Sequence, residues 1–338
     1  MLAWVEKAVP VLGILAGAAF AACAGSGSGP AEPADASVDV AVDAGKESET
    51  LSDSDTAPAP PPDFHVPGTQ MGDVASLPMT GACALCHEGA STHGPTDTWK
   101  SSLMAWAGRD PLFFAQLATA TQDVPDVGYY CLRCHVPVSV VTTHAAAGKE
   151  KALSAEDRDG VTCAFCHAMV DPRFVSGKSP AVDEGILKGL ASVPTTFGNA
   201  QFVLDPKATR RGPYEMSNPY HPTIQSSFMR TGEMCGTCHD VGNPAVSKLA
   251  DGTFAYNEMG KQAPSSDPRA QFPLERTYTE WRLSAFAAGG VSMGGTFGGE
   301  GGDVVSTCQD CHMPVSKAKG CLYADPRPDL PRHEFAGE

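Results

Sequence analysis

Five copies of one short pattern constrain this chain of 338 residues more than any other feature of its sequence. In each copy, two cysteines are separated by two residues and a histidine follows the second cysteine directly. The cysteine pairs are Cys83 and Cys86, Cys131 and Cys134, Cys163 and Cys166, Cys235 and Cys238, and Cys308 and Cys311, and the histidines are His87, His135, His167, His239 and His312. We number these copies motif 1 to motif 5 in chain order. Ten of the twelve cysteines belong to them, so any fold of the chain has to accommodate all five.

The pattern C-x-x-C-H is typical of c-type haem attachment. Its two cysteines can form thioether bonds to the two vinyl groups of one porphyrin, and the adjacent histidine can then bind the iron as the proximal ligand. A single copy would also suit half of a zinc site or a thioredoxin-like redox pair. Five copies, each followed by histidine, predict five covalently bound c-type haems.

The histidine count extends this prediction to the other side of each iron. Ten histidines are present, so five remain outside the motifs. They are His65, His93, His144, His221 and His333. The equal numbers favour ligation of each iron by two imidazoles, with these five as distal ligands. The alternative for each spare histidine is an ordinary position on a loop or on the surface.

Met104 is an alternative distal ligand. It follows Trp99 in a segment that the sequence predicts as a short helix, and a second helix is predicted to begin with Asp110 as its cap and Pro111 at its first position. A thioether bond from Met104 to iron would raise the reduction potential of that haem, whereas simple packing on a porphyrin edge would not. If Met104 binds iron, one histidine is surplus, and His93 is then the best candidate because it lies only six residues after His87.

The first 63 residues are not expected to belong to the folded part. Residues 1–22 read as a signal peptide with a short apolar segment, and the residues around Cys23 resemble a bacterial lipoprotein box with Cys23 as the lipidated residue. Phe20 departs from the leucine that is usual in that box, so cleavage of a simple secretory signal remains the alternative. Residues 23–63 contain nine acidic residues against Lys46 and predict a disordered acidic tether. Either interpretation predicts an exported protein, periplasmic or held at the outer membrane.

Overall charge and composition narrow the choice of partners and folds. With 24 Lys and Arg against 39 Asp and Glu, the net charge is -15 and no basic patch compensates for it, so nucleic acid is not an expected partner. The expected partners are redox proteins, with donor and acceptor unidentified, and a membrane contacted through the lipid anchor. The 35 glycines and 28 prolines argue against a long, regular helical bundle.

The predicted fold class is a mostly α, loop-rich multihaem cytochrome c with little β-structure, in which covalent haems form much of the core. Residues 64–338 form the predicted pentahaem domain, with possible sub-domains at 64–180 for motifs 1 to 3 and 200–338 for motifs 4 and 5. Cys131 and Cys163 are only 32 positions apart, against 48 to 73 for the other neighbouring motifs, so the second and third haems are expected to be close. A short strand pair involving Val203 and Leu204 is also expected.

Several longer runs resemble a known family. They are Cys83 to Asp123 with Trp99-x-x-Ser102-x-Met104 and Arg109-Asp110-Pro111, then Gly160 to His167, Cys235 to Pro244, Glu280-Trp281-x-x-Ser284, and Cys308 to Pro314. Together they resemble the multihaem cytochromes c related to the tetrahaem partner of hydroxylamine oxidoreductase, over about residues 80 to 338. The resemblance implies an electron-transfer protein and suggests His333 as a distal ligand. Many relatives carry a distal histidine where this chain has Met104.

Three classes of function compete on these observations: an electron-transfer relay, a multihaem reductase or oxidase, and a haem-bearing sensor or structural lipoprotein. An electron-transfer relay requires closely spaced haems with both axial positions filled, which the ligand count favours. A multihaem reductase or oxidase acting on a small nitrogen or sulfur compound requires one open iron and acid or base groups beside it, and Tyr278 and Trp281 near the last motif are candidates for lining such a pocket. Packing on porphyrin is the alternative role of these two residues. Cys321 has no assigned partner and is predicted to be a small buried residue.

Overall fold

The computed structural model describes residues 64–143, 153–215, 220–296 and 302–335. These residues lie in a compact unit that spans Asp53–Glu338. The predicted signal peptide, the lipidation site Cys23, the tether and the candidate ligand His144 lie outside the described residues. The division into sub-domains stays a prediction.

The helices in the described ranges are short, and α4 is the longest with 13 residues. They are α1 (Thr80–His87), α2 (Pro95–Trp99), α3 (Leu103–Trp106), α4 (Pro111–Asp123), α5 (Val127–His135), α6 (Pro137–Val141), α7 (Cys163–Ala168), α8 (Ala181–Gly189), α9 (Gly232–Gly236), α10 (Thr277–Leu283) and α11 (Cys308–His312). Single 3₁₀ turns occur at Asp157–Asp159, Ser227–Arg230 and Pro268–Ala270. Within the described part of the chain, no helix combines the length and apolar character needed to cross a bilayer.

Strands form small separate sheets between the helices. They are β1 (Met169–Val170), β2 (Val203–Leu204), β3 (Arg210–Gly212), β4 (Thr223–Gln225), β5 (Val241–Lys248), β6 (Phe254–Tyr256), β7 (Gln271–Glu275), β8 (Val291–Ser292), β9 (Val304–Val305), β10 (Val315–Ala318) and β11 (Arg327–Pro331). The largest sheet has the order β6-β5-β7, and the pairs β1-β2, β3-β4, β8-β9 and β10-β11 complete the set seen in the described residues. Among the strands of the described residues, only β3 and β4 pair in parallel. The expected strand at Val203–Leu204 is confirmed and pairs with Met169–Val170.

The prediction of a mostly α fold with little β-structure and a haem-dominated core is wrong. Helix accounts for 34% and strand for 15% of the confidently placed residues, and the strands are distributed over several small sheets. The physical reason lies in the long segments between motifs, where frequent glycine and proline stop helices while β-branched and aromatic residues favour strand pairing. In β5, Pro244 is accommodated because the register with β7 shifts between Asn243 and Ser247.

The core is built from protein side chains in three clusters. The first packs Phe64 and Val66 against α4 and α5, the second surrounds Phe165 of α7, and the third holds β1 and β2 against Leu187 of α8. Phe165 and Phe202 meet edge to face, with ring centroids 5.0 Å apart. The helices that carry motifs 2 and 3 are therefore anchored directly in the core.

The expected start of the second helix is confirmed. The side chain of Asp110 accepts a hydrogen bond from the backbone N–H of Leu112, and Pro111 occupies the first turn of α4. The preceding segment is divided into α2 and α3, because Ser102 caps the second piece by accepting from Ala105 N. These two helices and α4 bring Met104 and Phe113 towards motifs 2 and 3.

Candidate cofactor site

Each motif forms a helical turn. Motifs 1, 2, 3 and 5 lie within α1, α5, α7 and α11, and motif 4 begins in α9 and continues as a turn in which His239 N donates to Cys235 O at 3.0 Å. Residues three apart lie on the same face of a helix. Both cysteines of a motif therefore face the same side, as attachment to a single porphyrin edge requires.

Caps position two of these helices. Thr162, directly before Cys163, accepts a hydrogen bond from Phe165 N at the start of α7. Thr307, directly before Cys308, forms a capping box with Asp310 at the start of α11. In both motifs the cap sets where the helix begins, and so which face carries the cysteines.

A large, mainly apolar cavity of about 1670 Å³ connects four of the motifs. Both cysteines and the histidine of motifs 1, 2, 3 and 4 line it, and motif 5 contributes Thr307, Gln309 and Asp310 at its wall. A pocket for one small ligand has a volume of about 300–1,000 Å³. The cavity therefore exceeds the space that one small molecule needs, which fits several cofactors placed side by side.

Two of the proximal histidines are oriented through their Nδ1 atoms. His87 Nδ1 lies 2.6 Å from the carbonyl oxygen of Gly320, and His167 Nδ1 lies 2.6 Å from the carbonyl oxygen of Arg211. A carbonyl oxygen only accepts, so in both cases Nδ1 is the donor. The Nε2 atom of a neutral ring is then left with its lone pair, which is the arrangement that metal-binding histidines use.

Each of these two rings faces a spare histidine. The ring centroids of His87 and His221 are 6.4 Å apart at an interplanar angle of 40°, and those of His167 and His333 are 6.2 Å apart at 30°. All four residues line the cavity. The structure therefore places two of the predicted distal ligands, His221 and His333, beside motif histidines, a pairing that the sequence does not predict.

The separations suit a metal ion held between two imidazoles. A metal–nitrogen distance of about 2 Å, with each ring centroid about 1.1 Å beyond its Nε2 atom, places two opposed centroids about 6.2 Å apart. The two observed separations lie within 0.2 Å of each other and match that value. The donor set of motifs 1 and 3 thus fits haem iron bound on both faces.

Burial keeps the imidazoles of His167 and His333 neutral. It lowers the pKa of His167, and the nearby positive charge of Arg210 adds to this effect. Burial also lowers the pKa of His333 to about 3, with a smaller contribution from His167. Because a metal ion binds the neutral imidazole, both shifts favour ligation at neutral pH.

The environment of motif 2 is different. The His135 ring stacks on Phe113 with centroids 3.6 Å apart and an interplanar angle of 8°. Met104 lies on the wall of the same cavity, and its carbonyl oxygen accepts from Val161 N at 3.0 Å. That close approach depends on Gly160, which has φ +68°, and a Cβ there would lie 2.4 Å from Met104 O. Whether the Met104 sulfur binds iron stays a prediction.

Thiols of different motifs meet inside the protein. The thiol pairs Cys83 and Cys163, Cys134 and Cys238, and Cys235 and Cys308 lie close enough for each thiol to affect the pKa of the other. The contact with Cys163 lowers the pKa of Cys83 to about 7. These contacts place motif 1 beside motif 3, motif 2 beside motif 4, and motif 4 beside motif 5. None of the cysteines in the described residues forms a disulfide.

Two predicted distal ligands lie away from the cavity. Among the described residues, His65 and His93 are not part of its wall. His65 follows the buried Phe64, and burial together with the charge of Arg133 lowers its pKa. His93 lies in the turn that precedes α2. The assignment of these two histidines, like that of His144, stays a prediction.

Cys321 is half-buried and lies at the cavity wall beside motif 1. The next residue, Leu322, donates its N–H to Cys86 O at 2.8 Å, and the preceding Gly320 is the carbonyl acceptor for His87. The segment thus supports motif 1 through its backbone. Sequence reasoning did not find Gly320 or Arg211 as partners of proximal histidines, since a backbone carbonyl carries no side-chain signal.

Tyr278 and Trp281 pack behind motif 4. A Cβ atom on Gly236 of α9 would lie 2.4 Å from the Tyr278 ring, and one on Gly232 would lie 2.7 Å from the Trp281 ring. The centroids of the two aromatic rings are 5.6 Å apart. Tyr278 also lines a separate small pocket of about 240 Å³ that includes Arg173. Within the described residues, neither aromatic residue belongs to the wall of the large cavity.

No protein-family model, curated protein or solved structure matches this chain. In the described ranges, no group of three or more His, Cys, Asp or Glu side chains is arranged to hold a metal ion. A haem iron requires only two side-chain ligands because the porphyrin nitrogens occupy the other four positions. The case for the cofactor therefore depends on the motifs and on the geometry around the cavity.

Proposed function

We propose that this chain is an exported, membrane-anchored pentahaem c-type cytochrome that relays electrons in the periplasm or at the outer membrane. The observation that carries the proposal is the shared cavity, in which His87 faces His221 and His167 faces His333 at separations that suit one metal ion each. Ten motif cysteines would hold the five haems covalently. When bound, each haem supplies an iron that exchanges one electron between its ferric and ferrous forms.

The order in which the motifs touch supports a relay. Thiol contacts connect motif 1 with motif 3 and motif 2 with motif 4, and motif 4 with motif 5. Cys166 of motif 3 and Cys238 of motif 4 are also close enough to influence each other electrostatically. The five sites therefore form one connected set, and motif 4 adjoins motifs 2, 3 and 5.

In this proposal, the polypeptide holds the histidine ligands in position and keeps substrate away from the irons. The carbonyls of Gly320 and Arg211 fix the rings of His87 and His167, and burial keeps the imidazole of His167 neutral. Axial sites filled by His221 and His333 would exclude substrate from those two irons. The resemblance to the multihaem cytochromes related to the tetrahaem partner of hydroxylamine oxidoreductase is consistent with this role.

Mass spectrometry and electron paramagnetic resonance of the mature protein test the proposal together. We expect five covalent haems per chain and a ferric spectrum dominated by low-spin, bis-imidazole signals. A mature protein without covalent haem would refute it. Five haems with a substantial high-spin ferric fraction that binds small ligands would favour the alternative, a reductase or oxidase acting at one open iron.

The anchor is tested separately at Cys23. Cys23→Ser removes the proposed acylation site, so we expect the protein to leave the membrane fraction or to accumulate as a precursor, with five haems still attached. Without the acyl chains, the apolar area that holds the protein at a bilayer is lost. Fractionation followed by haem staining measures both properties. Unchanged membrane association of the variant would contradict the lipoprotein assignment.

A further inference from the structure

Arg133 is a buried cation inside motif 2. It stands directly before Cys134, and none of its side chain is exposed. Its guanidinium donates to Tyr129 Oη at 2.9 Å, to Thr69 O at 3.1 Å and to Ala200 O at 2.9 Å. All three acceptors are neutral. Among the described residues, no carboxylate pairs with this guanidinium, so its positive charge is solvated only by dipoles and aromatic rings.

Aromatic faces complete the surroundings of Arg133. Its guanidinium carbon lies 4.4 Å from the ring centroid of Phe202 and 5.6 Å from that of Tyr129. Such contacts stabilise a cation without cancelling its charge.

A buried cluster of the opposite sign lies behind motif 3. Arg211 pairs with Asp183 at 2.6 Å and with Asp205 at 3.0 Å, and all three side chains are excluded from solvent. Two carboxylates against one guanidinium leave one negative charge when both are ionised. The positive charge of Arg210 also reaches His167, but Arg210 is half-buried and is screened by solvent more strongly than the buried cluster. The carbonyl oxygen of Arg211 also accepts from His167 Nδ1, which joins the cluster to the proximal ligand of motif 3.

Resting on the proposed function, we propose that these two buried charge groups order the haem potentials, with Arg133 raising the potential at motif 2 and the Asp183–Arg211–Asp205 cluster lowering it at motif 3. Reduction adds one electron to an iron centre. A fixed positive charge nearby favours that step and a negative charge opposes it, and low dielectric surroundings strengthen both effects. The electron would then be held preferentially at motif 2, with motif 3 at the low-potential end.

A second effect at motif 3 has the same sign, and motif 1 shares it through the carbonyl of Gly320. A hydrogen bond from Nδ1 to a carbonyl makes the imidazole a stronger electron donor to iron, and this stabilises the ferric form. The ion pairs of Arg211 hold that carbonyl in place through β3. The position of the acceptor and the charge behind it therefore both lower the potential at motif 3.

Spectroelectrochemical titration of the five-haem protein tests this order without assigning every haem. Arg133→Gln removes the charge but keeps a hydrogen-bond donor, and Arg133→Lys keeps the charge. We expect Arg133→Gln to lower the highest macroscopic potential by at least about 59 mV, which corresponds to a tenfold change in the one-electron reduction equilibrium. Arg133→Lys should change it much less. Equal effects of the two substitutions, or no effect of Arg133→Gln, would refute the role of the charge.

A second set of variants, at the cluster behind motif 3, should shift a haem potential in the opposite direction. Asp183→Asn and Asp205→Asn each remove one negative charge and should each raise the lowest potential, by the same tenfold criterion. Asp251→Asn, at an exposed turn away from the motifs, is the matched control and should leave all potentials unchanged. Mass spectrometry of every variant counts its haems. A wild-type protein without haem refutes the proposed function, whereas five haems with unshifted potentials refute only the order proposed here.

Discussion

At the scale of single residues, His87 and His167 show how the backbone can orient an imidazole for metal binding. Each ring is held through Nδ1 by a carbonyl that comes from a distant part of the chain, Gly320 in one case and Arg211 in the other. The Nε2 atom is then available to bind metal, and a second imidazole lies close to each ring. The cysteines of a motif could attach a porphyrin, but these backbone contacts are what would position the histidine that binds its iron.

Removal of a distal imidazole should change the spin state of one haem only. In His221→Ala the iron at motif 1 would lose its sixth ligand, so we expect one haem in five to become high-spin while all five stay attached. Electron paramagnetic resonance and the haem count measure these properties. Tyr220→Phe, at the neighbouring exposed residue, is the control and should keep the wild-type spectrum. A low-spin spectrum in His221→Ala would contradict the pairing of His87 with His221.

Met104 gives a second test at this scale. If all distal ligands are imidazoles, Met104 only packs at the cavity wall, and Met104→Ala should leave the ligand set unchanged. Sulfur ligation would instead produce a weak far-red charge-transfer band in the ferric spectrum and one haem of clearly higher potential. We expect no such band. Its presence in the wild type, with loss in Met104→Ala but not in His93→Ala, would show that methionine replaces one histidine.

At the scale of elements, short helices and small sheets position the motifs. The close contact between α9 and α10 depends on glycine, because the rings of Trp281 and Tyr278 occupy the space above Gly232 and Gly236. Trp281 Nε1 also donates to Ser306 O at 2.8 Å, just before motif 5. One aromatic residue thus links the helix of motif 4 to the approach of motif 5.

Gly232→Ala should therefore destabilise the protein. The added Cβ would lie 2.7 Å from the Trp281 ring, and overpacking of this kind costs about 1–3 kcal/mol. Gly185→Ala in α8 is the matched control, because a Cβ there meets nothing within 4 Å and alanine favours helix. Thermal unfolding followed by circular dichroism compares the two variants. Equal midpoints would show that α10 does not hold α9 as tightly as the structure indicates.

The helices and strands also show which parts of the fold can be predicted from the sequence. Asp110 and Pro111 predicted the start of α4 because cap and first-turn preferences are local, and Val203–Leu204 was expected as a strand. The overall class was wrong because the pairing of β5 with β7 joins distant segments, and local patterns carry little information about such pairing. For the same reason, the spacing that suggested proximity of motifs 2 and 3 did not reveal the contacts of motif 1 with motif 3 and of motif 2 with motif 4.

At the scale of the whole molecule, the motifs differ in how deeply they are built into the fold. In motif 3, Ala164 and Phe165 of α7 are buried in the second core cluster, and Cys166 packs against it. In motif 5, α11 has no buried residue. Among the described residues, Cys308 and Cys311 are also not part of the cavity wall. A haem at motif 3 would thus be central to the structure and a haem at motif 5 peripheral.

This difference predicts unequal consequences when one haem is left out. Cys163→Ser combined with Cys166→Ser should yield four haems and an unfilled space beside the core, whereas Cys308→Ser combined with Cys311→Ser should yield four haems and a nearly intact core. Removal of a large buried side chain lowers the free energy of unfolding by about 3–5 kcal/mol. At about 2–4 °C per kcal/mol, a comparable decrease lowers the unfolding midpoint by roughly 6–20 °C. We expect that decrease for motif 3 and a clearly smaller one for motif 5. Calorimetry and limited proteolysis of the two four-haem proteins measure it, and equal stability of the two would contradict a central position for motif 3.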